Sequence, residues 1–532
     1  MGRRGGRATL TSLAVLQTTD SNTGVLRPRV SPDYTRRRRI SAARSAYGEE
    51  LAKVTGAMGG AAALSLMVLS SLVLVSLAAT RPSWLSPLSK LGSNPGWLAG
   101  PLGPLTGWLN VGSGSISDVF TVLIAAMYIS YVVVVAAAPH LSARWALTAV
   151  VLVHIIFFLG PPMHLTDAFN YVNYARMDIF HGLNPYTTIP ALEPHTDPTF
   201  LLSNWHGLLS PYGPLFTVFM FAIVQLGVAG SLWALKATLL LVALGILWLV
   251  WRCAELLGRP PLAAVLFVGL NPLVLVWGLG GVHNDFYMMF LIVLATYLLL
   301  RVSAPKQATD LALADRDHLH IGWLVLGAVG AGVAIAAAVA IKASSVILVP
   351  IFVFGLARRL RVGLSVVAGL AIGFLALGVM TLLVFGAHLP NISQQDGLID
   401  ENSIPNVLGY VIGLGGETKG LHLVLTIVLV LGVLACAVWA ARTEHWVTAA
   451  GYATLLVLLT LSWTLPSYVL WLLPFAALSR ARALRIATVV FGVYVLLFWM
   501  PYSNSLDVFF HLKLASTTVA HAAANYQHGL QF

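Results

Sequence analysis

The chain has 532 residues, of which 58% are hydrophobic and 10% charged, with a formal net charge of +11 and a mean hydropathy of +0.83. That balance excludes a water-soluble globular domain and describes a polytopic integral membrane protein. The two cysteines, Cys253 and Cys436, are too few and too scattered for a zinc site or a disulfide framework. A G-x-x-x-x-G-K-[ST] loop and a dinucleotide fingerprint are both missing from the sequence, which argues against a nucleotide-driven pump or a nucleotide-cofactor enzyme.

In chain order, residues 1–56 are basic, carry the run Arg36-Arg37-Arg38-Arg39 and lack an apolar stripe. They read as a disordered cytoplasmic tail attracted to anionic lipid headgroups, without the apolar core of a secretory signal. Nucleic acid is not the expected partner, because the positive charge follows the bias of cytoplasmic loops. Long apolar runs then predict an all-α transmembrane domain over 57–502, since about 20 apolar residues cross the hydrocarbon core and a helix satisfies its own backbone there. About 13 spans are expected, near 57–79, 116–138, 145–161, 236–252, 262–280, 286–302, 322–341, 343–357, 363–386, 421–441, 447–463, 468–479 and 486–502. The apolar run 214–230 is read as re-entrant or interfacial. A crossing there would exchange the faces of Arg252 and Arg259 and of the His283-Asn284-Asp285 cluster.

Lys and Arg accumulate in cytoplasmic loops, and most of the basic residues fall on one side if the amino terminus is inside. The Arg358-Arg359-Leu360-Arg361 and Arg480–Arg485 turns mark that side. The loops 80–115, 162–213, 281–285 and 387–420 and the tail 503–532 then lie outside the cell, in a plasma-membrane protein, and every informative polar motif is on that outer face.

The first motif follows an early span. A short helix from Asp167 to about Phe180 is capped by Thr166 or Asp167 and ended near Gly182. Asp167, Tyr171 and Tyr174 share one edge at helical spacing, Arg176 follows, and Asn184-Pro185-Tyr186 makes an extended turn. Asp167 is either a helix cap or a carboxylate for chemistry. Ser210-Pro211-Tyr212-Gly213-Pro214 makes a rigid bend where a polar loop re-enters lipid, with Tyr212 as an interfacial anchor or a site residue. In Gly280-Gly281-Val282-His283-Asn284-Asp285, ionisable groups at a membrane boundary are functional candidates, against the plainer reading of a solvated turn. His283 and Asp285 offer two ligands to a divalent cation, with no third or fourth defined. Lys342, alone between apolar runs, either snorkels to the interface or meets an anion such as a phosphate. Trp463–Tyr468 and Trp471 form an aromatic turn, of belt residues or of sugar-stacking rings.

These motifs together resemble one family. Asp167-x-x-x-Tyr171, Gly182-Leu183-Asn184-Pro185-Tyr186, Pro211-Tyr212-Gly213-Pro214-Leu215, Asn271-Pro272, Gly281-Val282-His283-Asn284-Asp285, Lys342, Pro350 and Ser467-Tyr468 look like the actinobacterial polyprenyl-phosphate-mannose-dependent mannosyltransferases of the GT-C class. The pattern is strongest over 145–300 and continues more weakly to 475. The resemblance implies a GT-C-like helical fold and transfer of mannose from polyprenyl-phosphate-mannose to a glycolipid of lipomannan type, in α-1,6 linkage, on the outer face. It places Tyr171, Asn184, Tyr186, Tyr212, His283, Asn284, Asp285, Lys342 and Tyr468 around the substrate, and Arg176 is expected to join them.

The chemistry has its own logic. An acceptor hydroxyl is a poor nucleophile, and a positioned carboxylate that takes its proton accelerates attack by ~10²–10⁴; Asp167 is the expected base. The departing lipid phosphate needs donors where its charge collects, and Lys342, Arg176 and Tyr212 are candidates. A base opposite the leaving group inverts the anomeric centre, by analogy with inverting glycosidases. Two other readings stand beside this one. A secondary transporter or lipid-glycan flippase also uses broken helices and intramembrane charge, though the spans show few charges and no repeated half. A non-catalytic scaffold leaves the one-sided polar motifs unexplained.

Overall fold

The computed structural model describes residues 32–80, 83, 85, 95–105, 112, 114–164, 167–303 and 317–531. Among them the chain is helical throughout, without strands. In order, the helices are α1 (Pro32–Thr80), α2 (Gly96–Ala99), α3 (Ser115–Ala137), α4 (Ala143–Leu159), α5 (Asp167–His181), α6 (Pro214–Val224), α7 (Gly227–Leu256), α8 (Pro261–Gly269) and α9 (Asp285–Ser303). They continue as α10 (Asp317–Ile341), α11 (Val349–Phe354), α12 (Leu360–Phe385), α13 (Ile404–Val411), α14 (Lys419–Thr443), α15 (Trp446–Thr460), α16 (Val469–Leu478), α17 (Arg482–Phe498), α18 (Ser503–Phe509) and α19 (Thr518–Gln531).

Of the basic segment read as a disordered tail, residues 1–31 lie outside the described residues, and Pro32–Gly56 are helical as the first part of α1. Arg, Ala and Glu there are good helix formers, and charge alone does not prevent a helix. Residues up to Gly59 form one compact unit and Gly60–Phe532 another.

Among the described residues, seven helices are long and apolar enough to cross a membrane: Lys53–Thr80, Ser115–His140, Gly227–Leu256, Asp285–Ser303, Leu324–Ile341, Leu360–Phe385 and Lys419–Thr443. Shorter apolar helices accompany them. Two expected spans are broken: 262–280 is α8, the Asn271-Pro272 step and a π-helical turn Val274–Leu279, and 343–357 is a 3-10 turn Ala343–Leu348 followed by α11. α6, within the run read as re-entrant, has only 11 residues before the chain turns at Gly227, too few to cross ~30 Å.

Apolar side chains such as Leu364, Leu375 and Leu383 of α12 and Leu423, Val430 and Leu431 of α14 are exposed, as suits helices facing lipid. Inward, α10 and α12 approach so closely that a Cβ on Gly369 would strike the Val329 carbonyl oxygen. Small residues at such crossings let backbones pack where water supplies no driving force. The polar motifs from Asp167 to Tyr468 gather at one end of the resulting bundle, where α5, the 182–213 loop, the turn before α9, the end of α10 and the turn before α16 meet. The carboxyl-terminal segment joins this end: Gly207 N–H donates to the Leu530 carbonyl (2.9 Å) and Leu530 is buried with Leu208 and Leu398.

Candidate active site

Three short connectors bring the chemistry together. After α4, Met163 N–H donates to the Gly280 carbonyl at 2.8 Å, which ties the approach to Asp167 to the turn carrying His283. That turn leaves the π-helix through Val282, a β-branched residue at φ 58°. Such residues rarely adopt left-handed backbone, and strain of this kind persists where the surroundings fix it, often at functional sites. The third connector is the proline-flanked bend: Gly213 N–H donates to the Ile341 carbonyl at 3.0 Å, and a Cβ on Gly213 would meet the Ala340 carbonyl oxygen. Only glycine lets the bend sit on the end of α10, immediately before Lys342.

Two carboxylates and an imidazole lie in line. Asp167 opens α5, and its Oδ2 is 3.2 Å from His283 Nδ1; the Asp167 side chain is 17% exposed. Asp285 opens α9 and its side chain is fully buried. The same Oδ1 of Asp285 takes Lys342 Nζ at 2.7 Å and the Trp471 indole N–H at 2.6 Å, while Oδ2 is 3.9 Å from His283 Nδ1. Lys342 Nζ also lies over the rings of Tyr468 (4.4 Å) and Trp471 (5.1 Å), which stack on each other. Cation–π attraction and the ion pair together hold a charged ammonium here.

Burial pushes the His283 imidazole below its ordinary value, against the pull of Asp167 and Asp285, so it is neutral near pH 7. Burial alone would also depress Lys342, but Asp285 and the surrounding groups carry it above the usual lysine value. Tyr171 accepts the Asn284 N–H at 3.2 Å and packs edge-on against Tyr212 at 4.6 Å, with Tyr174 behind, its hydroxyl donating to the Leu208 carbonyl at 2.7 Å. Asn284 Nδ2, His283 Nε2 and Asp285 Oδ2 are buried without a hydrogen-bond partner among the described residues. Unused polar capacity of this kind is uncommon in folded proteins and is expected where a polar ligand docks.

The motifs expected to cooperate therefore meet: Asp167, Tyr171, Tyr212, His283, Asn284, Asp285, Lys342 and Tyr468 form one cluster. Arg176 does not join it. Its guanidinium pairs with Asp197 at 2.9 and 3.0 Å, and His181 reaches the same carboxylate at 2.8 Å. Asn184 forms a local turn, its side chain accepting the Tyr186 N–H and donating to the Phe385 carbonyl. The Tyr186 hydroxyl supports the bend by donating to the Tyr212 carbonyl at 2.9 Å. Thr166, the alternative cap, lies outside the described residues. No group of three or more His, Cys, Asp or Glu among the described residues is arranged for a metal ion, and the Lys342 ammonium on Asp285 would repel a dication from the His283–Asp285 pair.

Sequence reasoning left several contributors unassigned. Trp471 was read only with an aromatic turn, although its N–H completes the Asp285 site. Asp197 carried no motif; the signal was Arg176 and His181 five residues apart on a helix with an acid in the next loop. Asn170 and Asn204 also escaped notice: Asn170 Nδ2 lies 3.4 Å from Asp167 Oδ1 and 3.0 Å from Asn204 Oδ1, linking the Asp167 carboxylate to the 182–213 loop.

Residues 57–358 match the family model described as alpha-(1->6)-mannopyranosyltransferase, N-terminal domain. The chain is similar to alpha-(1->6)-mannopyranosyltransferase A of Mycobacterium tuberculosis, 26% identical over 67% of this chain and 70% of that one. A probable alpha-(1->6)-mannopyranosyltransferase of Mycolicibacterium smegmatis is 27% identical over 68% and 70% of the two chains. Alpha-(1->6)-mannopyranosyltransferase A of Corynebacterium glutamicum is 28% identical over 26% of this chain and 29% of that one. No solved structure matches.

Proposed function

Because this chain belongs to the alpha-(1->6)-mannopyranosyltransferase family and is a membrane mannosyltransferase, we propose that it moves mannose from polyprenyl-phosphate-mannose to a glycolipid acceptor of lipomannan type, in α-1,6 linkage. The reaction takes place on the extracytoplasmic face of the plasma membrane, with the amino terminus inside. One observation carries this reading: an accessible carboxylate, Asp167, lies one imidazole away from a buried carboxylate that holds a charged lysine.

Asp167 accepts the proton of the acceptor hydroxyl as its oxygen attacks the mannose anomeric carbon. The bond from that carbon to the phosphate oxygen breaks, and the electron pair leaves with the polyprenyl phosphate. Lys342, fixed by Asp285 and Trp471, meets the charge that collects there, where preorganised donors are most effective. Tyr212 packs edge-on against Tyr171 on the Asp167 side. Neutral His283 holds the Asp167 carboxylate through Nδ1 without protonating it. Attack opposite the leaving group turns a β-linked donor into an α-linked product.

Purified protein in lipid, given radiolabelled polyprenyl-phosphate mannose and a lipid extract, tests this reading. Label should pass to a larger glycolipid; label that changes sides of a vesicle without any new bond would instead indicate a flippase. Topology is checked separately. An engineered cysteine in 387–420 should react from outside, and one near Arg359 only after permeabilisation; the reverse result sinks the orientation.

A further inference from the structure

The other end of the bundle gathers arginines around a cavity. α9 connects the two ends: its 19 residues run from Asp285 to Ser303, ~28 Å at 1.5 Å per residue. Around Ser303 the turns after α7, α11, α14 and α16 converge, and Arg259, Arg358, Arg359 and Arg480 line a cavity of about 360 Å³, with Glu444 the one carboxylate among the described residues that line it.

Helix capping explains part of this arrangement. Arg259 Nη2 donates to the Ser479 carbonyl, Arg358 Nη2 to the Arg442 carbonyl and Arg359 Nη1 to the Ser303 carbonyl, and cations suit the negative ends of helices. Each guanidinium has five N–H donors, however. Arg259 Nε is buried without a partner, and no ion pair among the described residues engages any of the four. Burial, Arg485 and Arg480 all work against the charge on Arg259. Like charges held together this way are stabilised by an anion that enters among them.

We propose that this cavity binds the phosphate of an anionic lipid headgroup. Planar guanidiniums match phosphate oxygens in pairs. The cavity falls within the size range of small-molecule sites, about 300–1,000 Å³, larger than a lone ion requires. Leu257, Leu300 and Leu356 share its wall with the arginines, which suits an amphiphile whose polar head is anchored while its glycerol lies against apolar side chains.

The test uses the full chain in neutral detergent, followed by native mass spectrometry with phosphatidylglycerol or phosphatidylcholine, and by thermal unfolding with inorganic phosphate alone. Phosphatidylglycerol should be retained in clear preference to phosphatidylcholine. Arg358→Gln and Arg480→Gln, both at exposed positions, should each weaken that retention about fivefold, as expected for one basic group at a lipid surface. Arg358→Lys, which keeps the charge, should recover most of it. Retention of phosphatidylglycerol with no response to inorganic phosphate assigns the site to lipid; a phosphate-dependent rise in melting temperature that Arg480→Gln abolishes assigns it to the free anion. Equal retention of both lipids with no phosphate response, or retention unchanged in both Gln variants, overturns the proposal.

Discussion

The two carboxylates that flank His283 occupy opposite environments. Asp285 is fully buried, with an ammonium and an indole N–H on one oxygen. Asp167 keeps 17% of its side chain exposed and, among the described residues, has the imidazole and a long contact to Asn170 beside it. A saturated carboxylate is a poor proton acceptor and a good holder of a cation; an accessible one can exchange a proton with a substrate hydroxyl. The difference separates the roles in the proposed reaction: Asp285 holds Lys342 in place, and Asp167 is the carboxylate open to a substrate hydroxyl.

The largest expected effect tests the Asp167 side. Asp167→Asn keeps size and most hydrogen-bonding shape but removes the proton acceptor, so mannose transfer per folded molecule should fall ~10²–10⁴-fold while donor binding survives. Asparagine caps a helix about as well as aspartate. Near-normal transfer would thus leave Asp167 a helix cap and move the proton transfer to Asp285.

On the other side, Lys342→Ala leaves the Asp285 carboxylate buried without its counter-charge, a change that destabilises proteins by about 3–5 kcal/mol. Thermal unfolding should drop and donor use should weaken together. Pairing Lys342→Met with Asp285→Asn should restore much of the stability but not the donor use, because the cation that meets the phosphate is still missing. If the double variant uses donor normally, the ion pair is structural only. Lys342→Arg keeps the charge in a different shape and should retain part of the activity.

A smaller effect isolates the indole. Trp471→Phe preserves an aromatic face for the ammonium but deletes the 2.6 Å N–H contact to Asp285, a charge-assisted bond of about 1.5–3 kcal/mol. The KM for the lipid donor should rise severalfold with little change in the acceptor KM. An acceptor-selective defect would show that the ring serves the sugar instead.

Much of this comparison was legible in the sequence, and the reasons are specific. Asp167, His283-Asn284-Asp285 and Lys342 stood out because ionisable groups are rare among apolar runs, and glycine and proline marked the connectors that bring them together. Which acid is exposed was not legible, since burial depends on Lys342 and Trp471 arriving from residues far along the chain. Arg176 illustrates the same limit: its spacing placed it near the motif, while its partner Asp197 lies in a loop without periodicity. The apolar run 262–280 looked continuous because hydropathy averages over the Asn271-Pro272 step, a local breaker whose consequence here is a π-turn.

The smallest effect concerns the support of Asp167 rather than the carboxylate itself. Asn170 links Asp167 to Asn204 in the 182–213 loop, and that loop contains Glu193, buried beside Asn173 and near Asp197, His181 and Arg176. Burial pushes Glu193 up from 4.5 to about 7. The folded loop thus holds a proton that the unfolded chain releases earlier, and its contribution to stability is complete below pH ~4.5 and declines as pH rises toward 7. Asp197 does not disturb this window: burial would raise it, but Arg176, Thr199 and His181 hold it well below the usual carboxylate range. Protection factors for amide exchange across 190–206 should therefore fall modestly between pH 5 and pH 8. Glu193→Gln, neutral throughout, should flatten the response. An unchanged slope in that variant would locate the titrating group elsewhere in the fold.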